Sequence, residues 1–152
     1  MSYLSDPLSY LTSLYSVLNE GGWIALLDVS CFISGNLAKD SKYYERVVAF
    51  ELSSYRSGLY DFDFGTKMQA MLQQAGFDIV HVDEDVTDPE LNFSGVASAD
   101  VIEGWSARLG RMKKLKALLG EEYSDFYDEF LKNLDCDTHD KRGNVRFVVA
   151  IK

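Results

Sequence analysis

The chain has 152 residues, with 24 acidic against 15 basic side chains and a formal net charge of −9. That length suits one domain able to bury roughly 70% of its unfolded surface, and 47% hydrophobic with 13% aromatic residues excludes a disordered chain. The acidity argues against a nucleic-acid phosphate surface as partner and reads as simple solubility.

Cys31 and Cys136 lie far apart and belong to no close-spaced pair, so a reduced thiol state is expected. The opening Met1-Ser2-Tyr3-Leu4-Ser5-Asp6 has neither a basic nor an apolar secretory region. No apolar run approaches the roughly 20 residues of a membrane span. A cytoplasmic protein without membrane contact is the expectation.

Asp6-Pro7 starts a helix: a capping carboxylate, then proline at the first helical position. Leu8, Leu11, Leu14, Tyr15 and Leu18 recur at helical spacing, and Gly21 suits a left-handed helix end. Trp23 to Val29 is a near-continuous apolar run, as in strands covered on both faces. Ser30 to Lys39 reads as a loop at that strand's carboxyl end, where open α/β sheets bind ligands. Tyr44, Val47, Val48 and Leu52 predict a helix near 41–52, and 53–64 is aperiodic.

Gly65 to Ala75 predicts a helix with a Met68, Met71, Leu72, Ala75 stripe, closed by Gly76. Phe77 to Asp83 alternates as a strand, and Thr87 to Val96 is a loop. Ser98 caps one long helix reaching Leu119, with Val101, Ile102, Trp105, Leu109, Met112, Leu115 and Leu119 on one face. Glu121-Glu122 favour the start of another, whose apolar face includes Tyr123, Phe126, Phe130 and Leu134. After a polar loop, Val145 to Ile151 closes the chain as a strand. The order predicts an α/β fold with a small three-stranded sheet, its strands near 23–29, 77–84 and 145–151.

Three segments leading into strands, together with the opening residues, carry a family resemblance. Leu18-Asn19-Glu20-Gly21-Gly22 before an apolar strand ending in Asp28 resembles the approach to the fifth strand of class I S-adenosylmethionine-dependent methyltransferases. Tyr3-Leu4-Ser5-Asp6-Pro7 resembles the segment after that family's fourth strand. Met68-Gln69-Ala70-Met71-Leu72-Gln73-Gln74-Ala75-Gly76-Phe77 is similar to the approach to its sixth, and Gly143 to Lys152 to its seventh. The resemblance covers nearly the whole chain but only the latter half of the family's Rossmann-like fold. It implies a mixed sheet with the final strand antiparallel between the other two.

The family's Gly-rich turn between strand and helix is missing. Gly104, Gly110 and Gly120 are too widely spaced, and Gly21-Gly22 precedes a strand rather than a helix. The resemblance therefore implies S-adenosylmethionine as cofactor, not bound by this chain alone, and a small-molecule acceptor. It also implies that Trp23–Val29 lies at a sheet edge where a fourth strand belongs. A long apolar edge is an association hazard, so the expectation is a homo-oligomer, or pairing with an N-terminal half, through that edge. The alternative is a truncated, non-catalytic relative working as an oligomer or partner subunit.

Candidate site residues follow from the same resemblance. Asp28 ends a strand at the ligand side; a capping carboxylate is its plain structural reading. Phe32 and Tyr60 fall in segments resembling substrate-side loops, where aromatic rings would face a methyl sulfonium; core filling is the alternative. Trp105 and Arg108 lie in a helical insert, 97–134, matching a position that serves relatives as a lid over the acceptor. An arginine there would take a carboxylate or phosphate, or simply be solvated. His81 and His139 read as structural, and the acids around Cys136 match no standard metal loop. Catalytic residues and metal ligands are not assigned, since methyl transfer works mainly by alignment.

Overall fold

A computed structural model describes residues 1–152. Its three strands are β1 (Trp23–Val29), β2 (Asp78–Asp83) and β3 (Val145–Ile151). They form one sheet in the order β1-β3-β2, with β3 antiparallel to both neighbours. β1 and β2 therefore run in one direction, with the last strand of the chain between them. A bulge at Val80 shifts the β2 register between Ile79 and His81.

Two helices cover one face of this sheet. In α1 (Pro7–Val17) the Asp6 carboxylate accepts from the Ser9 amide at 3.0 Å, as the Asp-Pro signal predicts. α3 (Met68–Gln74) follows a single 3-10 turn at Phe64–Thr66. Leu11, Met68, Leu72 and Phe77 pack there against Ile24, Leu26, Val148 and Ala150. Strand alternation sends the other side chains of the strands to the opposite face. That face carries Trp23, Ala25 and Leu27, opposite Ile151, Val149 and Phe147. No helix lies on it, and Trp23 and Leu27 are 68% and 59% exposed. The expectation of two covered faces is corrected: the run is apolar on both sides and covered on one.

A second core lies beyond the carboxyl end of β1. α2 (Tyr44–Arg56), α4 (Ala99–Arg111), α5 (Lys113–Leu119) and α6 (Tyr123–Leu134) enclose Ile33, Tyr43, Val47, Trp105, Leu109, Leu115, Phe126 and Phe130. α2 runs past the predicted end at Leu52 to Arg56. The long helix predicted from Ser98 to Leu119 is interrupted at Met112, whose φ/ψ of −80°/64° is not helical. The break lets Leu115 and Leu119 turn back into the core while Lys113, Lys114 and Lys116 stay exposed. Gly21 does not end α1, which stops at Leu18; it serves the following turn with φ 76°.

The 3-10 turn at Phe64–Thr66 seals the end of β1. A Cβ on Gly65 would stand 2.8 Å from the Val29 carbonyl oxygen and 3.1 Å from that of Asp28. Both neighbours are backbone and cannot swing aside. Gly65→Ala is expected to lower stability by about 1–3 kcal/mol, read from urea unfolding; an unchanged midpoint would contradict this packing.

Candidate functional site

β1 leaves the sheet through Ser30 and Cys31. Cys31 has a φ of 50°, a left-handed conformation unusual for a residue with a side chain. The turn lets its carbonyl accept the Gly35 amide at 2.7 Å and its amide donate to Asp63 Oδ1 at 3.3 Å. The loop that follows is held by Glu51 from α2. One Glu51 oxygen accepts the Ile33 and Ser34 amides at 2.8 and 3.1 Å, and the other the Ser34 hydroxyl at 2.6 Å.

The segment 61–64 pins the other side. Asp61-Phe62-Asp63-Phe64 turns into the 3-10 helix, sending Phe62 to the second core and Phe64 to the sheet core, and the two aspartates do different work. Asp61 takes both contacts of Lys67 Nζ at 2.7 Å and the Asp63 amide at 3.0 Å. Asp63 holds Cys31 and, through Oδ2, the Thr66 hydroxyl at 2.8 Å. Lys67 Nζ also stands 3.9 Å from the centre of the Tyr55 ring. Between these groups lies a cavity of 350 Å³ lined by Cys31, Tyr44, Glu51, Tyr55, Phe62 and Asp63, among others.

Burial raises the Glu51 carboxyl above its ordinary range, against the lowering effect of the Ser34 hydroxyl and the two amides. Burial, with the Asp63 and Glu51 carboxylates, raises the Cys31 thiol. It therefore stays protonated at neutral pH and is no activated nucleophile. Tyr60 is raised by burial and then by the Asp28 carboxylate.

Asp28 is not part of this lining and is already engaged. The Ser2 hydroxyl donates to its two oxygens at 2.8 and 2.9 Å, the Val29 amide to Oδ1 at 2.9 Å, and the Met1 amino group lies 3.5 Å from Oδ2. Tyr60 packs edge-on against Phe62 at 4.5 Å and against Tyr3 at 4.6 Å. Phe62 stacks on Phe32 at 6.4 Å, and Phe32 lies 5.0 Å from Trp105. Phe62 thus joins Tyr60, Phe32 and Trp105 into one aromatic series running from the end of β1 to α4. Arg108 stands apart from the cavity. It reaches over the Trp105 ring at 5.3 Å, and its Nη2 bonds Glu90 Oε1 at 2.7 Å.

Glu51, Asp61, Asp63 and Lys67 were not singled out by the sequence. Glu51 looks like a solvated charge on a helix, and 53–64 lacks helical period; the Asp-Phe-Asp-Phe alternation is the signal that was present. The arrangement can position a small molecule, but it offers no nucleophile paired with a base. No group of three or more His, Cys, Asp and Glu side chains is disposed to hold a metal ion. S-adenosylmethionine does not fit these residues by themselves. β1 opens no helix through a glycine turn, its exit amides at Ile33 and Ser34 are taken by Glu51, and Asp28 is taken by Ser2.

No protein-family model and no curated protein sequence matches the chain. Among solved structures, it is similar to a methyltransferase-named protein from Bacillus halodurans at 16% identity and TM-score 0.49, over 98% of this chain and 63% of that one. It is similar to mycolic acid cyclopropane synthase CmaA1, complexed with S-adenosylhomocysteine, at 14% identity and TM-score 0.47, over 97% and 50%. The phosphoethanolamine N-methyltransferase 2 of Haemonchus contortus gives 16% identity and TM-score 0.45, over 99% and 31%. The chain thus spans between about a third and two thirds of the structures it resembles. No helix is long and apolar enough to cross a membrane.

Proposed function

We propose that this chain is the C-terminal portion of an S-adenosylmethionine-dependent methyltransferase acting on a small-molecule acceptor. The observation that carries this reading is the sheet. Three sequence segments imply, by resemblance, that the last strand runs antiparallel between two earlier strands; periodicity alone implies no strand order. The order β1-β3-β2 has that form.

In this reading the acceptor sits at the carboxyl end of β1, in the cavity between Cys31, Glu51 and Asp63. Phe62 lines that cavity, the aromatic series continues behind it through Tyr60, Phe32 and Trp105, and α4 to α6 form a lid. Asp28 closes the strand end, and Arg108 is a secondary contact reached only by release from Glu90. The cofactor would be held chiefly by sequence outside these residues. No reaction step is assigned to this chain on its own.

The open side of β1 favours a second reading: a methyltransferase-like domain without its own cofactor, acting as an oligomer or as a partner subunit. Titration calorimetry with S-adenosylmethionine, together with translation of the DNA preceding the Met1 codon, separates the two. The first reading predicts that the 152 residues alone bind no tighter than millimolar. It also predicts a neighbouring segment with a strand, a Gly-rich turn and a helix that confers micromolar binding when joined to the chain. Micromolar binding by the 152 residues alone would contradict the incomplete site. Absence of such a segment would favour the second reading.

A further inference from the structure

A groove remote from β1 has the chemistry of a separate ligand site. It runs between α2 and α5 and has a volume of 480 Å³, within the roughly 300–1,000 Å³ of small-molecule pockets. One wall is a helical stripe of α2, from Arg46 through Ala49, Phe50 and Ser53 to Ser54, with Ser57 just past its end. Lys114 and Leu118, one turn apart on α5, form the other wall, and Leu59 closes one end. Its lining mixes apolar side chains with serines, of which Ser54 is only 8% exposed.

The charge on this groove departs from the rest of the molecule. Net charge is −9, yet Arg108 to Lys116 holds five basic residues and no acid. Arg108 is committed to Glu90, and Lys116 lies 5.6 Å from the centre of the Tyr123 ring. At the end of the groove Arg46 is held by Glu122 at 3.0 Å and by the Leu118 carbonyl at 3.2 Å. Lys114 has no ion pair within the chain, nor do Arg111 and Lys113 beside it. An unpaired ammonium thus stands over a slot walled by Phe50, Ala49, Leu59 and Leu118, with serine hydroxyls alongside.

We infer that this groove binds a single-chain amphiphile with an anionic head. The carboxylate pairs with Lys114, in a groove that Ser53 and Ser54 also line, and the acyl chain lies along Phe50, Leu59 and Leu118. The complementary charge selects the head, and burial of the chain supplies the affinity. A dissociated phosphate alone would find one free cation and lose the apolar wall. A partner helix would need a longer groove than these nine lining residues provide.

Titration calorimetry of the full chain with decanoate, below its micelle concentration, tests this. Expected is saturable one-to-one binding, with decanol and inorganic phosphate each binding at least about tenfold more weakly. Lys114→Glu should weaken decanoate at least about tenfold, and Ala49→Trp should block the groove from a different side. Both positions are exposed, so an unchanged thermal midpoint confirms that each variant is folded. Equal binding of decanoate and decanol would overturn the inference, as would inorganic phosphate binding as tightly as decanoate. So would two folded variants that bind like the parent. Binding only to phosphatidylglycerol vesicles and not to monomeric decanoate would also overturn it, in favour of a membrane surface.

Discussion

Trp105→Ala is expected to cost about 3–5 kcal/mol of folding stability, a large share of the roughly 5–15 kcal/mol that holds a domain together. The indole is fully buried and lies between Phe32 at 5.0 Å and Phe130 at 5.3 Å. Its removal opens a cavity at the centre of the second core and strips the aromatic series of its last member. Trp105 Nε1 also donates to the Glu90 carbonyl at 3.0 Å, so truncation orphans an acceptor. Trp105→Phe keeps most of the filling and loses that bond, for a smaller cost of about 1 kcal/mol beyond the lost volume. Urea unfolding of both variants checks the order. A loss below about 1 kcal/mol for the alanine would mean that the helices repack without it, and the lid would have no fixed position.

Glu51→Ala should cost about 2–4 kcal/mol, because it leaves the Ile33 and Ser34 amides without an acceptor in a buried loop. The pH dependence distinguishes the carboxylate from its shape. Burial holds the folded-state proton affinity of Glu51 above its unfolded value. Between about pH 4.3, where an unfolded glutamate ionises, and the raised folded value, the native state therefore binds more protons than the unfolded state. The contribution of Glu51 to stability is full below that window and falls as pH rises through it. Glu51→Gln keeps an acceptor for both amides and removes the titration. The stability of the parent relative to Glu51→Gln should therefore decline as pH rises from about 4.3 toward neutrality. A difference that is flat, or that grows with pH, would show that Glu51 is not held in a desolvated site.

Much of the fold was legible because its signals are local. Asp6-Pro7 and Ser98 cap helices through contacts three residues away, and the strands follow from apolar runs bounded by Gly21-Gly22, Gly76 and Gly143. The interruption at Met112 was not legible, since Leu109, Leu115 and Leu119 keep a helical stripe across it. The uncovered sheet face was not legible either: Trp23 to Val29 shows that both faces are apolar, not that anything lies upon them. At the site, Phe32, Tyr60 and Trp105 were marked, but Phe62, which joins them, was not. Glu51 became visible only when α2 was placed against the Ile33–Ser34 loop. Its partners lie 17 and 18 residues away, beyond the reach of any periodicity.

The central claim is that β1 is the interior strand of a larger sheet. The Lys152 amide bonds the Gly22 carbonyl and the Ser30 amide the Asn144 carbonyl, at 2.9 and 2.8 Å. Antiparallel alternation between these two ends assigns the even-numbered residues of β1 to β3. The amides of Trp23, Ala25 and Leu27 therefore point to the open edge. Hydrogen exchange at Ala25 and Leu27, followed across protein concentration with the mass read from solution scattering, is the most direct test. The account predicts that both amides gain protection as the mass rises above that of one chain, because a further strand pairs with the edge. Ala25 and Leu27 exchanging at nearly unprotected rates, both in a monodisperse monomer at every concentration and in the chain joined to a segment that confers micromolar cofactor binding, would contradict it.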